Sequence, residues 1–81
     1  AAIAYQQLGY RALVAKSYSD AAWFLDRSVG ANASDFQSWV WLAQANQNMG
    51  NREKAISCYR KALSLQPGQS DALKGLKSLG Q

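Results

Sequence analysis

From Trp39 to Pro67 apolar side chains recur at the helical period in two consecutive runs. Trp39, Leu42, Ala43, Ala45 and Met49 make the first, and Ala55, Ile56, Tyr59, Ala62 and Leu63 the second. Spacings of three and four residues gather each set on one face of an α-helix, and neither run alternates as a strand would. Gly50 supplies a left-handed residue where the first helix must end, Asn51 is placed to cap the second, and Pro67 stops it. A hairpin of two such helices carries one apolar face too many and must stack on another copy.

That copy lies 34 residues upstream. Tyr5 aligns with Trp39, Leu8 with Leu42, Gly9 with Ala43, Ala21 with Ala55, Leu25 with Tyr59, Ser28 with Ala62 and Ala33 with Pro67. Carried downstream, the same offset reaches Leu73 and Leu76. The pattern Trp39-x2-Leu42-Ala43-x2-Asn46, then Ala55-x3-Tyr59, then Pro67 resembles the tetratricopeptide repeat over nearly the whole chain. Asn46, with Ala12 in the first copy, departs from the Tyr usual at that position. The resemblance implies an all-α, helical-hairpin solenoid of five antiparallel helices. Its first repeat covers about residues 2–35, its second about 36–69, and a C-terminal capping helix about 70–80.

In chain order, a first helix over about Ala2–Ala15 should turn Tyr5, Leu8, Ala12 and Ala15 inward, and the resemblance implies a close helix crossing at Gly9. Lys16-Ser17 is the turn, and Ser17 or Ser19 caps a second helix reaching about Ala31, with Ala21, Phe24, Leu25, Ser28 and Val29 inward. Ser34 and Gln37 read as a capping box for the third helix. Ser70 caps the last, which ends near Gly80 with Ala72, Leu73, Leu76 and Leu79 on one face. Lys77 falls where Gly9 and Ala43 stand, a charge at the position a further helix would press, so this element reads as a solubilising terminal cap.

Composition narrows the chemistry. The 81 residues suffice for one small domain, and with 48% hydrophobic and 17% charged residues the chain is not of the disordered class. No apolar run has the length of a membrane span, and no signal-peptide pattern is present. The compartment is left open, with the cytoplasm favoured, and a start at Ala1 reads as a piece of a longer protein. Cys58 is single, so no internal disulfide forms, and it reads as a small packed hydrophobe. With no His and five scattered carboxylates, neither a catalytic base nor a metal site is expected. The expectation is a non-enzyme with no cofactor.

Function is therefore sought in binding. The resemblance implies a concave face lined by the first helix of each repeat. The repeat offset places there Ile3, Gln6, Gln7, Tyr10, Leu13 and Val14; Gln37, Val40, Trp41, Gln44, Gln47 and Asn48; and Asp71, Lys74, Gly75 and Ser78. The partner-binding set is read as Gln6, Tyr10, Leu13, Gln37, Trp41, Gln44, Gln47 and Asn48. Trp41 stands about 200° around the wheel from Trp39, away from the core face, and amides suit an extended peptide backbone. Chaperone-binding members of the family hold a terminal carboxylate with Lys and Asn. The matching positions here, Gln6, Tyr10, Trp41, Asp71 and Gly75, do not supply that clamp.

The expected function is protein–protein interaction through a peptide or partner segment of unnamed identity. Two alternatives stay open. Trp23, expected on the outer helix, suggests self-assembly. The net charge of +4, with Arg52, Lys54, Arg60 and Lys61 crowded on one helix, suggests a nucleic-acid or anionic-surface binder.

Overall fold

A computed structural model describes residues 2–81. The chain forms five helices: α1 (Ala2–Val14), α2 (Tyr18–Ala31), α3 (Phe36–Asn48), α4 (Arg52–Leu65) and α5 (Ser70–Ser78). They pack as sequential antiparallel pairs, and there is no strand among the described residues. Helices α1 and α2 make one hairpin, α3 and α4 the next, and α2 lies on α3 as α4 lies on α5. Helix α3 touches all four others, whereas α1 and α4 do not meet.

Three helices end in the same way because the same chemistry recurs at their ends. The chain after α1 turns through Lys16 (φ 62°), after α3 through Gly50 (φ 82°) and after α5 through Gly80 (φ 82°). In each case the next amide closes back on a carbonyl of the last turn: Ser17 on Ala12 at 2.8 Å, Asn51 on Asn46 at 2.8 Å and Gln81 on Leu76 at 2.9 Å. This left-handed closure satisfies carbonyls that a helix end otherwise orphans. Glycine adopts it freely and lysine does not. Helices α2 and α4 instead run out through extended residues, Asn32 and Gln66, the latter forced there by Pro67.

The starts of the helices correct the sequence reading at several points. Asp35, not Ser34, caps α3: its carboxylate accepts from the Gln37 amide and the Ser38 hydroxyl, both at 3.1 Å. A carboxylate outcompetes a neighbouring hydroxyl at the positive end of the helix dipole. Ser34 instead donates its amide to Asn32 Oδ1. Gln69, not Ser70, caps α5, accepting from the Ala72 amide at 2.7 Å. Ser17 and Asn51 occupy cap positions without a side-chain cap bond. Asn51 turns its amide to Asn46 Oδ1 at 3.2 Å.

The core runs along the helix seams: Ala21, Leu25 and Val29 from α2, Val40, Leu42, Ala43 and Ala45 from α3, Ala55, Cys58, Tyr59 and Ala62 from α4, and Ala72 from α5. Alanines at the crossings let backbones approach closely. Where the approach is closest only glycine fits. A Cβ on Gly9 would lie 2.5 Å from Leu25 Cγ, and one on Gly75 would overlap the Tyr59 ring.

Buried polar groups are paired. Ser28 and Ser38 share a hydrogen bond of 2.9 Å across the α2–α3 seam. Asn46, at the position where the repeat pattern usually has Tyr, is fully enclosed and donates to the Leu42 carbonyl at 2.9 Å. Its second polar end meets Asn51, so the smaller side chain leaves no unsatisfied group.

Several expectations about faces fail. Leu8 and Ala15 are exposed rather than inward, because nothing covers that side of α1. Leu73 is half exposed, for the same reason on α5. Val40 belongs to the core, not to the concave face. Gly75 is buried under Tyr59, not presented to a groove.

Candidate functional site

Helices α1 and α3 lie side by side with a cleft of about 270 Å³ beside them, lined by Gln6, Gln7, Tyr10, Arg11 and Trp41. Four of these come from α1 at spacings of one and four residues, which the helical period gathers on one side. Trp41 comes from α3. Its ring packs partly on the core and meets the Tyr10 ring at 4.5 Å between centroids, tilted by 35°. That separation is within the range at which two aromatic rings attract. Trp41 is thus half-buried, with one side on the protein and an edge at the cleft, while Tyr10 is 45% exposed.

Gln6 donates to Asp35 Oδ2 at 2.7 Å. Asp35 has now gathered three donors, from Gln6, Gln37 and Ser38, which holds the start of α3 against α1. The amino end of Gln6 is therefore committed, leaving its carbonyl oxygen as an acceptor. Gln7 makes no side-chain hydrogen bond within the described residues.

Of the eight residues singled out from the sequence, the structure brings Gln6, Tyr10 and Trp41 to this cleft. Leu13 packs against the core, partly buried. Gln37 and Gln44 are half-buried along α3. Gln47 is engaged at both ends, accepting from the Tyr59 hydroxyl at 2.7 Å and donating to Ser78 Oγ at 2.8 Å, so it joins α3, α4 and α5. Asn48 donates back to the Gln44 carbonyl at 2.8 Å. Arg11 was missed, because its repeat partner Ala45 is fully buried and the offset assigned that register to packing. A cation one residue from Tyr10 was the available signal.

The other conspicuous side chains lie elsewhere. Trp23 is 50% exposed on α2, edge-on to Phe24 and Tyr5, with the Arg27 guanidinium 3.8 Å from its ring centroid. The cations of α4 largely serve their own chain: Arg52 donates to the Leu79 carbonyl at 2.7 Å, Lys54 pairs with Asp26 at 3.4 Å and Arg60 donates to Gln81 at 2.6 Å. Lys61 stands 6.0 Å over the Trp39 ring. Cys58 is buried; loss of solvation pushes its thiol up to about 11, against a lesser pull from Lys54 and with a further push from Asp26. A thiol that stays protonated is a poor nucleophile.

No helix is long and apolar enough to cross a membrane among the described residues. Comparison with curated proteins finds no match. The sequence model of the tetratricopeptide repeat family matches residues 36–69, which are α3, α4 and their following turn. Repeats of this family are protein-interaction modules and generally non-catalytic. With that match, the paired helices α3 and α4 form a tetratricopeptide repeat.

Proposed function

We propose that this chain is a non-catalytic interaction module that binds an extended peptide or partner segment along the side of α1 and α3, over the Tyr10–Trp41 pair. The observation that carries the reading is the aromatic pair at the edge of a cleft, with Gln6 and Gln7 beside it. Exposed aromatic area in a concavity is where binding free energy concentrates. The Gln6 carbonyl oxygen and both ends of the Gln7 amide are open to a peptide backbone. On the helical wheel Gln37, Gln44 and Asn48 fall on the Trp41 side of α3, which supports a longer contact along that helix.

The three tryptophans make the reading testable, because each reports on a different surface. Trp41 borders the cleft, Trp23 lies on the outer helix, and Trp39 ties its indole N–H to the Ala33 carbonyl at 2.9 Å. Titration with a selected peptide, followed by the indole N–H signals in two-dimensional NMR, should move Trp41 and leave Trp23 and Trp39 in place. Tyr10→Ala should weaken binding by about 2 kcal/mol with little change in melting. Movement at Trp23 alone would relocate the site to the outer face.

A second reading, end-to-end self-assembly, draws on the uncovered side of α1, where Leu8 is 42% exposed. Sedimentation over a concentration series, with Leu8→Glu as the control, separates it from peptide binding: assembly predicts a concentration-dependent mass that the Glu variant loses.

A further inference from the structure

The chain has four arginines, and three have partners on the protein. Arg27 lies on Trp23, Arg52 reaches Glu53 and the Leu79 carbonyl, and Arg60 reaches Gln81. Arg11, at the cleft, has no side-chain partner among the described residues, and neither ion pair found among them involves it. The carboxylate that meets this neighbourhood, Asp35, holds Gln6, Gln37 and Ser38 instead. The cleft therefore combines an uncompensated guanidinium, an aromatic edge and amide groups. A guanidinium offers a planar fork of donors that matches a carboxylate bidentately. Its register matters too. The repeat equivalent Ala45 is fully buried, and a helix covering Arg11 in the same way would strand a charge unless it brought a carboxylate with it.

Resting on the peptide-binding reading above, we propose that the cleft selects an acidic segment: an Asp or Glu side chain within the peptide pairs with Arg11, and a neighbouring apolar side chain lies against Tyr10 and Trp41. Gln6, whose amino end is held by Asp35, accepts a backbone N–H from the segment, and Gln7 has both ends of its amide to offer. A single-stranded nucleic acid also likes aromatic faces, but it needs a track of cations along its backbone. Here one guanidinium borders the cleft, while the basic helix α4 makes no contact with α1.

The test uses the whole chain and two matched libraries of short peptides, fluorescein-labelled at one end and amidated at the other so that no terminal carboxylate is present. In one library an apolar residue neighbours Asp or Glu; in the other the acid is replaced by Asn or Gln. Anisotropy titrations at low and high salt, with an oligouridylate as competitor, read the outcome. Acidic members should bind about tenfold or more tightly than their amide partners, with the preference shrinking in salt. Arg11→Gln should abolish the preference, Arg11→Lys should keep part of it, and Arg11→Glu should transfer it to Lys-bearing peptides. Arg11 is exposed, so helicity and melting of these variants should match the parent. Equal binding of both libraries, unaffected at Arg11 but weakened by Tyr10→Ala, would overturn the acidic preference while the peptide reading stands. Binding by neither library would overturn both. Displacement by oligouridylate through Arg11, with no acidic preference among peptides, would replace the peptide with nucleic acid.

Discussion

Helices α1 and α3 occupy equivalent places in successive hairpins, yet they live in different surroundings. In α3, Ser38, Val40, Leu42, Ala43, Ala45 and Asn46 are all buried, whereas in α1 only Gly9 is. Leu42 is 1% exposed and its counterpart Leu8 is 42% exposed. The side chains are identical, so the difference comes from what is stacked on them. In a solenoid, a residue's energetic weight is set by its neighbours in the array as much as by its own repeat.

The sharpest way to break that comparison is to make the same change in both places. Leu42→Ala should cost about 2–5 kcal/mol, the range for an enclosed leucine, while Leu8→Ala should cost well under half as much in the isolated chain. Paired chemical-denaturation curves check this. Equal losses would mean that α1 is covered in solution.

The helix ends give a smaller contrast with opposite signs. Lys16 and Gly50 hold the same left-handed turn, which a lysine adopts only with strain. Lys16→Gly should raise stability by roughly 0.5–1 kcal/mol and Gly50→Ala should lower it by a similar amount, both read from thermal melts. A Lys16→Gly variant no more stable than the parent would show that the charge at the helix C-terminus offsets the strain.

A contrast of another kind concerns alkali. Cys58 and Tyr59 stand where the first hairpin has Phe24 and Leu25, so this titration belongs to the second hairpin alone. Burial pushes the thiol up to about 11, and burial, aided by Asp71 and Cys58, pushes the Tyr59 hydroxyl up to about 12. The folded chain thus keeps protons that the unfolded chain has already released. Stability should be level below the ordinary thiol value of 9.0 and decline as pH rises through about 11. Denaturation midpoints across that window should show the decline, and Cys58→Ala should flatten its first part.

Much of this was legible in the sequence. The five helices and the left-handed turn at Gly50 followed from periodicity and glycine placement, and the close crossing at Gly9 from the family resemblance. What escaped depended on facts outside the pattern. The repeat offset names equivalent positions but not what lies over them, so Leu8 and Leu73 were assigned to the core. Ser34 and Asp35, or Gln69 and Ser70, are adjacent candidates for one cap, and only the fold decides which reaches the amides. For the candidate site, Gln6, Tyr10 and Trp41 were named in advance. Arg11 was passed over because the register that buries Ala45 opens on α1.

One further consequence follows from α3 touching all four other helices. The amide hydrogens at its buried centre should therefore exchange most slowly, whereas α1 and α5, held from one side, can open alone. Neighbours in sequence are also neighbours in space here, which favours rapid folding spreading outward from the middle. The Tyr10–Trp41 cleft bridges a helix held from one side and the most protected one. An occupant of that cleft would therefore tie α1 down, and its arrival would be recorded as slowed exchange along α1 while α3 stays as it was.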